Sequence, residues 1–237
     1  MKKVFAFVAT FALFASTQAF AIAGIGAHYV MNTGSLDASE GPVGPTGQVK
    51  VVQKSASGLQ GLGFKAWIDF LPFIDIEGTF NVAATRYETS LIVNGTEIPL
   101  RYTPGAPYNM IFDRADPLYG IFSGDVSVTY PVVDIIPFVR PYVGAGVSYL
   151  ASIPIVNASF VNNMDITNPE TLDGKVIEEA LKNADYKGGI GGHIIAGIRI
   201  KPPVIAIYAN GKYYFGGDVG KQFTQGFVLE VGGGFGL

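Results

Sequence analysis

The chain has no cysteine and only two histidines, His28 and His193, in 237 residues. No disulfide holds the fold, and no thiolate metal site exists. Charged residues make up 15% of the sequence, against about 25% in an ordinary soluble domain. Neither sign dominates: the formal net charge is -3, which argues against a nucleic-acid binder, since those are basic. Long hydrophobic runs are also missing. Past the N-terminal region, nothing approaches the roughly 20 apolar residues that a membrane-spanning helix requires. Phosphate-loop, zinc and calcium-loop spacings are absent too.

What is present contrasts with that sparseness. Hydrophobic residues reach 49%, aromatics 13%, and there are 31 glycines. The mean hydropathy is +0.33. The first residues, MKKVFAFVATFALFASTQAFA, carry two lysines, an apolar run from Val4 to Ala15 and the small-residue pattern Ala19-Phe20-Ala21. This is the layout of a secretory signal peptide, with cleavage expected after Ala21 and Ala23 as the weaker alternative. Residues 1–21 are therefore assigned as signal and 22–237 as a single domain. Loss of Lys2 and Lys3 makes the mature chain more acidic still. An apolar, exported chain without a membrane helix fits a transmembrane β-barrel, which distributes its hydrophobicity in alternation rather than in runs.

Eight segments alternate in this way. In RPYVGAGVSY, Pro141, Val143, Ala145, Val147 and Tyr149 fall on one face and Arg140, Tyr142, Gly144, Gly146 and Ser148 on the other, because successive strand residues point to opposite sides. GLGFKAWIDF sets Leu62, Phe64, Ala66, Ile68 and Phe70 against Gly63, Lys65, Trp67 and Asp69. The other six are AGIGAHYVM, IDIEGTFNVAAT, GIFSGDVSVTY, GGHIIAGIRI (with Ile195 out of step), IAIYANGKYYF and GFVLEVGGGFGL. Connections after the second, fourth and sixth segments are short and contain proline. Those after the first, third and fifth are long and polar. Short turns at one end and long loops at the other are the asymmetry of outer-membrane barrels. The expected fold is all-β: an eight-stranded, antiparallel, up-and-down transmembrane barrel.

Two connections carry their own signals. Asn94-Gly95 between apolar β-formers predicts a hairpin that extends the third and fourth segments above the membrane. TNPETLDGKVIEEALKNA predicts a helix in the third long loop, with Asn168 as cap, Pro169 at its first position and an apolar stripe of Leu172, Val176, Ile177, Ala180 and Leu181. It reads either as packing on the barrel rim or as a partner-binding element.

RPYVGAGVSY and the final strand, with Leu229, Val231, Phe235 and Leu237 in alternation, are similar to strands of the small Gram-negative outer-membrane barrels. These are the barrels of the outer membrane protein A, X and W type, and the fifth strand is nearest to that of outer membrane protein W. The chain departs from the pattern in ending on Leu237 rather than an aromatic residue, and Gly233 weakens the spacing. The resemblance implies residence in the bacterial outer membrane, contact with outer-membrane lipid and lipopolysaccharide, and recognition of the C-terminal strand by the barrel-assembly machinery. It also implies that an extracellular partner could meet the long loops.

Some barrels of this size modify lipid A, a reaction that needs a nucleophile and a base. His28 and His193 both take the inward parity, His193 near the outer rim and His28 nearer mid-barrel, and neither lies in a deacylase-like pattern. No catalytic, cofactor-binding or metal site is expected, and no cofactor. The inward charges are Lys65, Asp69, Asp75, Glu77, Asp125, Arg140, Arg199 and Glu230. They form either a selectivity lining or, as preferred here, an ion-paired network that fills the lumen. The expected function is an outer-membrane protein of structural, surface-interaction or small apolar solute transport role. A lipid A-modifying enzyme is the alternative.

Overall fold

The computed structural model describes residues 23–44, 49–69, 73–100, 116–132, 139–162, 187–201, 205–217 and 223–236. The signal segment, the helix expected at 167–184 and Leu237 lie outside the described residues. In chain order the strands are β1 (Ala23–Leu36), β2 (Ser39–Val43), β3 (Val49–Gln53), β4 (Ala56–Ile68), β5 (Asp75–Arg86), β6 (Thr89–Val93), β7 (Thr96–Pro99), β8 (Leu118–Pro131) and β9 (Val139–Ser152). A short helix, α1 (Ala158–Asn162), precedes β10 (Lys187–Ile200), β11 (Ile205–Gly216), β12 (Phe223–Thr224) and β13 (Phe227–Gly236).

Eight of these strands make a closed antiparallel barrel. The order runs β1, β4, β5, β8, β9, β10, β11, β13, and β13 pairs back onto β1 from Gly24↔Gly236 to Asn32↔Val228. Closure satisfies every strand edge, the one way a sheet can stand in a medium that offers no hydrogen bonds. The long connections gather at one end, called here the loop end, and the short ones at the turn end.

The two faces of each strand follow the sequence alternation. Ile25, Leu62, Phe64, Val126, Val147, Tyr149, Ile190, Ile207, Phe227 and Phe235 all point outward and are exposed, Ile190 to 75%. On β10 the outward apolar set runs from Ile190 to Ile200. Ten residues at ~3.3 Å each, on a strand tilted about 40°, give a belt about 25 Å tall. Ile195 faces inward and is buried, so its break in the pattern is a genuine inward apolar residue.

The remaining strands build a second sheet at the loop end, ordered β2-β3-β6-β7. The hairpin expected at Asn94-Gly95 forms, with φ of 50° and 80° at the two turn residues. Positive φ at both centres matches the right-handed twist of the flanking strands, and glycine adopts it without strain. The expectation that this hairpin prolongs the barrel strands is corrected: β6 pairs with β3 of the first long loop. Hairpins from two different loops thus share one cap. Its inner face buries Val43, Val49, Val51 and Leu91, and Val156 and Val161 close it from the third loop. α1 has five residues, too few to be stable alone. It is held by Asn157 Oδ1 accepting from Phe160 N (2.8 Å), and by Asn162, whose Oδ1 accepts from Gly44 N (2.9 Å) and whose Nδ2 donates to Pro42 O (3.0 Å).

Candidate functional site: the barrel lumen

The lumen is stacked in three layers. At the turn end, Arg199 on β10 reaches Asp69 (3.2 Å), Asp75 (3.4 Å) and Glu77, and Lys65 on β4 pairs with Glu77 at 2.5 Å. Lys201 joins through Asp69. Aromatic faces pack on the cations: Lys65 Nζ lies 4.7 Å from the Tyr208 ring centroid, and the Arg199 guanidinium lies 5.6 Å from Trp67 and 5.3 Å from Tyr142. Such faces supply negative potential to a cation that has lost its water.

The middle layer centres on Lys212 of β11. Its ammonium lies 2.7 Å from Glu230, 2.9 Å from Asp125 and 2.5 Å from Thr79 Oγ1. Tyr214 donates to Asp125 (2.9 Å), and Asn81 donates to Glu230 (2.8 Å). Because the Asn81 amide nitrogen is committed to Glu230, its oxygen accepts from His28 Nε2 at 2.6 Å. His28 Nδ1 is then free to accept from the Tyr208 hydroxyl at 3.1 Å. His193 sits between two hydroxyls, Ser127 (2.8 Å) and Ser148 (2.7 Å). Glycines opposite make the room: a Cβ at Gly63 would strike His28, and one at Gly146 would strike His193. That is the physical use of the glycines alternating with valine and alanine on β9.

The third layer, toward the loop end, is apolar. Val30, Ala83, Ile121, Leu150, Phe223 and Val228 belong to one buried cluster with Leu36, Leu59 and Tyr119, and this cluster runs without a break into the cap core. A cavity of about 30 Å³ remains between the apolar and middle layers.

The inward residues expected from sequence are therefore placed as follows. Lys65, Asp69, Asp75, Glu77 and Arg199 meet at the turn end, while Asp125 and Glu230 meet around Lys212. Arg140 takes the inward parity but is only half-buried, at the end of β9 opposite Arg199 in register. Lys212 was missed. The parity that puts Ala209 and Tyr213 outward puts Lys212 inward, but the weak alternation of β11 hid it. His193 is corrected from the outer rim to mid-barrel: it is the seventh residue of the 14-residue β10, beside the Lys212 layer. The upper apolar layer was also not foreseen: Val30, Ile121 and Leu150 take the inward parity, but their meeting at one height is set by closure of the barrel.

The Ser127–His193–Ser148 contacts have the reach of a nucleophile and base. Both serines and the histidine are buried, and none of the three lines the cavity just described. Among the described residues no group of three or more His, Asp or Glu could hold a metal ion.

No family model matches the chain, and no curated protein matches it. Several solved structures are similar. Ail, the attachment invasion locus protein of Yersinia pestis, has a TM-score of 0.43 at 11% identity over 90% of this chain and 96% of its own. Neisserial surface protein A gives 0.44 at 12% identity, over 89% and 94%. The N-terminal barrel domain of Pseudomonas aeruginosa OprF gives 0.35 at 11%, over 90% and 98%. By its own strand pairing this chain is a closed eight-stranded antiparallel β-barrel.

Proposed function

We propose that this chain is a bacterial outer-membrane protein that presents the β2-β3-β6-β7 cap outside the cell on a barrel closed by its own side chains. Its role is then surface interaction or envelope integrity, and not transport or catalysis. One observation carries the reading: the apolar upper lumen and the cap core are a single buried cluster. A cap so joined cannot swing clear without exposing that core, so the loop end is both the seal and a rigid display surface. Below it, paired charges fill the lumen and leave no apolar route for a solute.

The outward belt would contact phospholipid on one side of the membrane and lipopolysaccharide on the other. The barrel-assembly machinery would read the β13 strand, whose outward residues are Phe227, Leu229, Val231 and Phe235. An extracellular partner would meet the cap or the long connections. Export, with removal of the first 21 residues, belongs to this reading.

The test is fractionation with surface proteolysis of intact cells. The protein should sediment with outer membranes, shift in gel mobility on boiling, and lose cap peptides to external protease while the barrel persists. Recovery from the soluble periplasm would overturn the reading. The second reading, lipid A modification, has the Ser–His contacts in its favour. It predicts an altered lipid A profile in a deletion strain, where the first predicts none.

A further inference from the structure

Loop-end residue Phe223 belongs to no barrel strand, yet its side chain is buried. It sits on the connection between β11 and β13, in the two-residue strand that pairs with Ser35 and Leu36 at the top of β1. Its ring packs 5.3 Å from the Tyr119 ring across the mouth. The seat is fitted: a Cβ on Gly34 would collide with the Phe223 ring, so the absence of a side chain there makes the space the ring fills.

Beneath Phe223 lies the 30 Å³ cavity, enough for about one or two waters. Its upper wall is Phe223, Asn32, Gln225 and Gly226; its floor is Asn81, Ser123 and Tyr214. Each floor residue is bonded directly to the charged middle layer. Asn81 donates to Glu230, Tyr214 donates to Asp125, and Ser123 lies 3.5 Å from Asp125. The cavity thus spans the thin place in the apolar layer, polar at both ends, and the Phe223 ring is the large apolar part of its upper wall.

We propose that Phe223 is a cork over a route by which water and small ions reach the Lys212–Asp125–Glu230 layer from the extracellular side. The cork leaves its seat by local opening of the two-residue pairing with β1, while the cap core and the barrel strands stay in place. A short two-residue pairing at a strand end is where such opening costs least. The orphan carboxylate oxygens Asp125 Oδ1 and Glu230 Oε2, buried without a protein hydrogen-bond partner, are the groups that entering water or a cation would satisfy. This goes beyond the display role: the cap could present a surface whether or not the cork moves.

The absence of cysteine permits a clean test. Ser123→Cys reports on the cavity floor and Thr129→Cys on the lumen below the charged layer. A small, charged methanethiosulfonate is added from the extracellular side to protein reconstituted in vesicles, in wild-type and Phe223→Ala backgrounds. We expect Ser123→Cys to react about tenfold faster or more once the ring is gone, while Thr129→Cys stays unreactive. Equal Ser123→Cys rates in the two backgrounds would overturn the cork. So would equal acceleration at Thr129→Cys, which would mean general loosening of the barrel. If Phe223→Ala does not yield the heat-modifiable folded form, Phe223→Leu is used in its place, with a smaller rise expected in the same direction. Failure of this test leaves surface proteolysis of the cap, and the reading it probes, unaffected.

Discussion

The barrel and the cap bury opposite things. Inside the barrel, Lys65, Lys212, Arg199, Glu77 and Glu230 are almost wholly enclosed, while Leu62, Phe64 and Ile190 stand outside. Inside the cap, Val43, Val51 and Leu91 are enclosed, while Lys50, Glu40, Lys54 and Glu88 stand in water. One chain therefore contains a polar core wrapped in apolar surface and an apolar core wrapped in polar surface. The solvent decides which is stable. Lipid gives no reward for burying leucine and a heavy penalty for exposing lysine, so the barrel turns its charges inward and pairs them. Water reverses both terms at the cap. The upper lumen is where the two schemes meet, and there the barrel interior itself becomes apolar.

The largest effect expected from breaking this contrast is at Lys212. Lys212→Met leaves Asp125 and Glu230 buried without their cation, which costs about 3–5 kcal/mol in comparable sites. Denaturant unfolding of the reconstituted barrel should show it, and Lys212→Met combined with Glu230→Gln and Asp125→Asn should recover much of the loss. No recovery in the triple variant would mean that the layer is held by something other than charge balance.

Next is the turn-end layer. Arg199→Ala removes the cation shared by Asp69, Asp75 and Glu77, but Glu77 keeps Lys65 and Asp69 keeps Lys201, and the layer lies nearer the end of the lumen. We expect a smaller loss, about 2–3 kcal/mol, together with a rise in planar-bilayer conductance. Combining it with Arg140→Ala should raise conductance further. A steady, large wild-type conductance, unchanged by both substitutions, would contradict a side-chain-filled lumen.

Leu91→Ala tests the cap. Removing a buried leucine costs about 2–3 kcal/mol where the site relaxes, and here the loss should be local. Hydrogen exchange and proteolysis of β3 and β6 should accelerate, while the unfolding midpoint of the barrel stays put. If the barrel midpoint moves by as much as in Lys212→Met, the two cores are one cooperative unit.

The smallest effect is expected at Lys54. Its ammonium bonds Glu88 at 2.6 Å with both groups exposed, and the hydrogen bond to Glu88 raises its pKa from the ordinary lysine value. A cation with a raised folded pKa contributes stability that is present below its unfolded pKa and lost as pH rises through the folded value. Any contribution from Lys54 is therefore constant at neutral pH, fades only in alkali and is screened by salt. Lys54→Ala should leave the unfolding curve unchanged within error, although the pair is as short as that of Lys212 with Glu230 in the lumen. A clear loss would show that burial is not what separates the two kinds of ion pair.

Alternation along eight segments was enough to read the barrel, its inside and its outside. Each strand reports its own two faces, and lipid enforces them residue by residue. Asn94-Gly95 was equally readable, because the turn is set by the backbone of two adjacent residues. Lys65, Asp125, Arg199 and Glu230 were legible as inward charges for the same reason of parity. Partnership was not legible. That Lys212 binds Asp125 and Glu230 depends on the register and tilt that bring β8, β11 and β13 to one height across the lumen. His193 fell among serines rather than at the rim for the same cause. Ser148, inward by parity, is buried on His193. The pairing of β3 with β6, the joining of upper lumen to cap core, and the seating of Phe223 all link segments far apart in the chain. The amino-acid sequence by itself determined which way each residue of a strand would face, since that is local geometry meeting solvent. Tertiary structure alone decided which residues would face one another, since that is set by closure of the sheet and by the packing of loops whose own sequences are indifferent to it.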